Sequence, residues 1–457
     1  MMKLIFAFVN WLLLRWMMFA FEPQDLLDIR NLVLAPNKQN NYLTPVAAAS
    51  YVSRPRNPGT AFASIAPTYY SDEQLANKGH NWPTTKQRIS QTTALDATLD
   101  VDNFNMGWAL AFSLGAVTVT GAGPYTHVFK FIQSTNQMPV TSLLLQDTND
   151  VIYQLPDMCI SDLQLTGKES GPLSMQVKMV GSGKNVDGAV AFPAITTPQF
   201  LFGSDADILI GPPVPDSSTF TLSTVVAGAL GAHTAFYKLT WTNAAGETMF
   251  SSEISIPVPA NSVSKVTAPA AFPPGVTGVK VYGSNTTNTE TLQGTINAAG
   301  GNLQEPNTGF IVGAALPTDT TALSSFKERT VQWDVSVKCD MVPNRAPGGG
   351  LFATFTKVLK QRANLNLQIK ATSADDLRSL LIADTLRQAR IKVVSGAAQT
   401  LTLDFPGVYF TAPAATAVGQ EVAWPLVAGD QDVLKWQGQE VFQATLINNT
   451  PAYLVGA

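Results

Sequence analysis

The chain has 457 residues, only 14% of them charged, and a formal net charge of −4. Soluble domains usually carry about 25% charged residues; the length allows several domains, and the shortage of charge points to an all-β protein with much of its surface hidden in an assembly. A tight nucleic-acid binder is disfavoured, because neutralising phosphates needs a basic patch and the sequence holds no long basic run.

Residues 1–21, MMKLIFAFVNWLLLRWMMFAF, are apolar behind Lys3. Asn10 and Arg15 interrupt the run, and a charge at mid-bilayer is costly. No small-residue cleavage site precedes Glu22 and Pro23, and Met17 and Met18 stand just ahead of polar sequence. Residues 1–27 therefore read as an apolar arm or a start placed too far upstream, in preference to a membrane anchor.

Residues 28–92 are mostly polar and irregular, and Thr68–Arg88 reads as a loop. From Thr93 a period of two appears: Leu95, Ala97, Leu99 and Val101 alternate with Asp96, Thr98, Asp100 and Asp102, as in a strand with one buried face. Residues 105–115 follow with helical spacing and Gly115 as a stop. Strands are expected at 125–132, 140–147, 151–155, 159–167 and 173–181, with a turn at Gly171.

GPPVPDSST, residues 211–219, reads as a Pro-rich linker. Short strands then recur over about 100 residues, around a turn at Asn243–Gly246 and again at 276–286, which is the pattern of an immunoglobulin-like sandwich without its paired cysteines.

The first pattern returns near the C-terminus. FATFTKVLKQRANLNLQIKATS (352–373) is similar to WPTTKQRISQTTALDATLDVDN (82–103), and LSMQVKMVG (173–181) to VAWPLVAG (422–429). A helix is expected at 375–385, started by Ser373 with Asp375 and Asp376 at its N-terminus. Strands follow at 387–394, 400–405, 421–429 and 440–448. The matched order suggests an internal duplication.

Chemistry is sparse. Cys159 and Cys339 lie apart in strand-like runs and read as reduced core residues. His80, His127 and His233 are far apart, with no zinc or triad constellation. GSGK (181–184) lacks the earlier glycine and following Ser/Thr of a phosphate loop, and PGGG (347–350) has no lysine behind it. No enzyme and no cofactor is expected.

The segments NLVLAPNKQN (31–40), YYSDEQLANKGHNW (69–82), MGWALAF (106–112), PYTHVFKF (124–131), NRAPGGGLFATFTK (344–357) and DVLKWQGQEVFQATLINN (432–449) together resemble phage tail tube proteins, of the type found in long non-contractile tails. TWTNAAGETMFSSEISIPVP and VTGVKVYGS look like the immunoglobulin-like decorations common on virion proteins. The resemblance implies a mainly β fold: two tail-tube-type β-sandwich or barrel units, each with a flanking α-helix, over 28–211 and 325–457, and an immunoglobulin-like β-sandwich inserted at 212–324. It implies a homo-oligomeric ring, stacked into a tube around the tape measure protein and bounded by tail terminator and tail tip proteins, with DNA passing through without specific binding. Two units per chain favour a trimer of pseudo-sixfold shape over a hexamer. Its place would be the virion tail, after assembly in the host cytoplasm. The loops carrying Tyr69, Tyr70, Trp82 and Lys86, and Arg345 and Phe352, would reach the next ring; Asp96, Asp100 and Asp102 would face the lumen. The alternative is a virion decoration or adhesin whose insert binds the host surface.

Overall fold

The computed structural model describes residues 31–47, 51–55, 63–71, 86–133, 137–147, 150–186, 193, 198–344, 350–372, 385–396, 398–411, 414–418 and 421–455. The fold is mainly β. The first part contains β1 (Asn31–Leu34), β2 (Val52–Pro55), β3 (Ser64–Ser71), β4 (Lys86–Asp100), helix α1 (Asn103–Leu114), β5 (Gly115–Thr120), β6 (Tyr125–Phe131), β7 (Thr141–Asp147), β8 (Asp150–Lys168), β9 (Ser174–Gly181) and β10 (Ala206–Gly211). A middle part holds β11 (Thr221–Val226), β12 (His233–Thr242), β13 (Ile254–Val258), β14 (Ser262–Thr267), β15 (Gly278–Ser284), β16 (Thr291–Ile296) and β17 (Asn302–Gln304). The last part runs through β18 (Ser324–Ser325), β19 (Thr330–Asn344), β20 (Thr354–Lys370), β21 (Arg387–Gly396), β22 (Gln399–Val408), β23 (Thr416–Val418), β24 (Glu421–Ala428) and β25 (Gln443–Asn448).

The dominant feature is an antiparallel run β3-β4-β9-β8-β19-β20-β24-β23. Period-two sequence builds it: Leu95, Ala97 and Leu99 of β4 and Leu365, Leu367 and Ile369 of β20 are at most 3% exposed, while the residues between them face outward. β8 is one long strand where two were expected. Asp157, at φ 59°, turns its first half away to pair with β7, which carries β1 and β2. A second sheet, β18-β10-β21-β22-β25-β6-β5, lies across the core.

α1 is packed between the two sheets, against β8 and β19 on one side and β5, β6 and β25 on the other, so it is central to the first half and not a flanking element. Its residues from Asn105 to Leu114 are buried on every face, as its mostly apolar sequence requires. Gly115 stops it in the left-handed region at φ 85°. The sequence placed Asp102 on the exposed face of the strand. It is instead the helix N-cap, 1% exposed, accepting from the Phe104 and Asn105 amides at 2.7 and 2.9 Å. The strand has already ended at Asp100, so the alternation does not carry through. The helix expected at 375–385 falls almost wholly on residues outside the described set.

The middle part is a two-sheet β-sandwich, β11-β14-β17 against β13-β12-β15-β16, closed over Trp241, Tyr237, Leu239, Val266 and Val281. It leaves the second sheet after β10 and returns at β18, where Ile210 faces Ser324 and Leu209 faces Ser325. The insert therefore occupies the place of a hairpin turn, a connection that leaves the surrounding sheet undisturbed. The Pro-rich stretch at its entry is not a free linker: residues 211–215 are buried and the Val214 carbonyl accepts from Trp436 Nε1 at 2.7 Å.

Candidate assembly site

The eight-strand run consists of one four-strand block repeated. β3-β4-β9-β8 is followed by β19-β20-β24-β23, in the same order and the same directions. The registers match. Leu95 faces Met179 as Leu365 faces Ala428, and Asp100 faces Ser174 as Lys370 faces Ala423. In the flanking hairpins, Ala94 faces Ser64 as Asn364 faces Ser336, and Ser174 faces Thr166 as Ala423 faces Thr416.

The blocks meet where β8 pairs with β19 over Asp162–Lys168 and Gln332–Lys338. Leu163, Leu165, Trp333, Val335 and Val337 seal this joint at 1–3% exposure. Gly167 is required there because a Cβ would overlap the Trp333 indole. The ends of the run are different. Among the described residues β3 and β23 each have one strand partner, and residues 414–417 beside and within β23 are exposed on both faces.

The face of the run opposite the core is polar and carries charges of both signs. Asp96 and Asp100 lie on it, partly exposed, with Asp96 accepting from Gln176 Nε2 at 2.9 and 3.0 Å. Asp162 lies 3.7 Å from Lys178, and Asp334 accepts from Thr166, Gln164 and Gln332. Arg362 bridges Asp340 and Asp430, and these hydrogen bonds, Asp430 first, hold its guanidinium above the usual arginine range. Lys370 is likewise raised, chiefly by Glu421 at 3.0 Å, with Glu169 at 4.0 Å. The resemblance put Asp96, Asp100 and Asp102 together on a lumen face. The structure surrounds those acids with lysine, arginine and amide groups from neighbouring strands, which period-two reading of a single strand does not reveal. Asp102 is off this face, buried 2.6 Å from Arg54.

The other expected site residues are divided. Tyr69 is 45% exposed but lies in β3, facing Arg88; Tyr70 and Lys86 are also paired strand positions. Phe352 folds back in a bridge to Gln91, whose amide donates to the Leu351 carbonyl at 2.9 Å, so it rests on the chain's own first block. Trp82 and Arg345 lie outside the described residues. The two hairpins leave Ile89 and Leu359 exposed, at 50% and 65%. These occupy the same position in the two blocks, which the sequence alignment could have flagged and periodicity alone could not.

Cys159 and Cys339 are buried and free, and burial pushes both thiols up, Cys339 to about 11. His127 is buried in β6; His233 pairs with Glu305 in the sandwich at 3.0 Å; His80 lies outside the described residues. Among the described residues no group of three or more His, Cys, Asp or Glu gathers as a metal site would, and no helix is long and apolar enough to cross a membrane. No protein-family model matches the chain, and no curated protein matches it.

Proposed function

We propose that this protein is the structural subunit of a bacteriophage tail tube, joining head to tail into rings that stack around the tape measure protein and later conduct DNA. The observation that carries the reading is the repeated four-strand block with a polar face and an open strand at each end. Such ends are an aggregation hazard unless they are covered or closed on one another. Their directions suit closure: the last strand of an antiparallel eight-strand run lies antiparallel to the first strand of the next copy. A head-to-tail joint of this kind closes into a ring when its rotation allows.

Three copies give a barrel of about 24 strands, and at ~4.8 Å per strand and a tilt of ~40° its backbone diameter is roughly 50 Å, wide enough for duplex DNA after side chains fill the rim. The inward face would then be the polar one, on which acids and bases from neighbouring strands pair. DNA would slide past it with neither a basic patch to hold it nor a strong field to exclude it. The sandwich grows from the other layer and would decorate the outer wall as an immunoglobulin-like module. Ile89 and Leu359, repeated in the two blocks, suit contacts with the next ring, since a partner of the same pseudo-symmetry meets both. The tail terminator and tip proteins would cap the ends of such a tube. The reading requires no catalytic group and no cofactor.

A second reading, a virion decoration or adhesin, draws on exposed Val226, Ile311 and Val312 of the sandwich as a contact surface. End-on electron microscopy of the purified chain, with symmetry left free, separates the two. Rings of three subunits with a pore wide enough for duplex DNA are expected; monomers under every assembly condition would sink the tube reading and favour the second.

A further inference from the structure

We infer that the inserted sandwich cross-links itself: Lys238 of β12 and Asn288 of the β15–β16 turn form an intramolecular isopeptide bond, with Glu290 as acid and base in a single turnover. The bond forms within one subunit, whether or not rings assemble.

The three side chains already touch. Lys238 Nζ donates to Asn288 Oδ1 at 2.8 Å and lies 3.2 Å from Glu290 Oε2. The amide carbon is one bond past the oxygen that Nζ touches, so amine and carbonyl stand close to the arrangement from which held reactants go on to react. Lys238 is 7% exposed and Glu290 3%. Such burial is rare for either residue type, and a lysine–glutamate pair taken out of water returns little stability for its desolvation. The Phe250 ring, 5.2 Å from Nζ, covers the lysine further.

Asn288 is fixed as firmly as the lysine. Its backbone sits at φ 60°, a left-handed conformation that asparagine tolerates. Its N–H donates to Glu253 Oε2 at 2.9 Å and to Glu290 Oε1 at 3.1 Å, and Thr287 Oγ1 donates to Glu253 Oε1 at 2.7 Å. Burial pushes the Glu290 carboxyl above its usual range, and a hydrogen bond shared with Glu253 adds to this. The same bond holds Glu253 below that range, so Glu290 is the member of the pair that takes up a proton.

The chemistry balances without an oxidant, a metal or a cofactor. Lys238 passes one ammonium proton to Glu290 and attacks Asn288 Cγ with the freed lone pair. The Nζ–Cγ bond forms and the Cγ–Nδ2 bond breaks. Glu290 gives its proton to Nδ2 and takes a second one from Nζ, and Nδ2 departs as ammonia on the exposed side of the turn. The product ties the middle of β12 to a turn 50 residues further along the chain.

The test is intact-mass spectrometry of the purified full-length chain, followed by proteolysis and fragment sequencing. The expected result is a mass lower by one ammonia than the sequence requires, and a branched peptide that joins Lys238 to Asn288. Lys238→Arg and Asn288→Ala remove a reactant and should keep the full mass. Glu290→Gln should slow formation at least about 100-fold, the low end of what a placed acid–base group supplies. A parent chain that keeps its full mass after prolonged incubation overturns the bond and leaves Lys238 and Glu290 as a buried ion pair; this measurement needs no variant to fold. A loss of ammonia that persists in Lys238→Arg comes from another site and overturns it equally. Formation at the parent rate in Glu290→Gln overturns the part given to Glu290.

Discussion

Within one sheet the same strand positions occur in two conditions. Between β8 and β19 they are covered: Leu165 and Val335 face each other in the core, and Trp333 fills the space over Gly167. At the ends of the run the equivalent positions carry Ala415, exposed just before β23, and Ala63, already buried just before β3, and among the described residues each edge strand pairs on one side alone. The inner joint carries large apolar side chains because it is always closed. The outer edges carry small ones, and β23 is only three residues long, which limits the apolar surface that a free subunit presents before assembly. An edge that must survive alone and also pair cannot be built like a core strand.

That contrast is broken most severely at Trp333. Trp333→Ala empties a fully buried site at the inner joint and should cost about 3–5 kcal/mol, read as a lower urea midpoint with an unchanged slope. Val422→Ala, at a 51% exposed position of β24 near the outer edge, should stay within about 0.5 kcal/mol. Equal effects would mean that the inner joint is not packed as described.

The strand content and the repeat were readable because period-two burial and matched segments survive in single-sequence data: β4, β6, β9, β21 and β24 lie close to where alternation puts them. Other features depended on partners distant in sequence. Asp102 could not be recognised as a buried cap without Arg54, nor the mixed charge of the polar face without Lys178 across from Asp96. The single long β8 was divided in the reading because Asp157 adopts a positive φ held by Ser182, Gln39 and the Leu43 amide. The order of the blocks in the sheet is a tertiary fact, and it carries the functional reading.

The end of β4, where the first block turns into its helix, offers a smaller break. Asp102→Ala removes the cap and leaves Arg54 buried without its carboxylate, and should cost about 3 kcal/mol. Asp102→Asn keeps an oxygen for the Phe104 and Asn105 amides and should recover about 1 kcal/mol of that loss. Thermal unfolding of the two variants side by side checks this; equal losses would remove the cap from the account.

The smallest effect tests the second layer, where β6 of the first half pairs with β25 of the second and His127 faces Leu446. The ring is buried against Tyr453, edge-on at 5.0 Å, and Phe129 at 6.1 Å, with Nε2 2.9 Å from the Thr450 carbonyl. Burial pushes its pKa below the ordinary histidine value, outweighing the Thr450 carbonyl and Asn448, which favour the charged form. In the window between the lowered folded value and about 6.5, the unfolded chain binds more protons than the folded one, so stability rises with pH by at most about 1.4 kcal/mol per unit. The contribution is complete above the unfolded value and is lost as pH falls toward the folded one. Urea unfolding between pH 5 and 8 should show this slope in the parent and a flatter one in His127→Gln, with the difference belonging to this seam because His80 and His233 are common to both. Parallel slopes in the two proteins would mean that His127 reaches solvent and that the seam between the halves is open in the second layer, unlike the joint in the first.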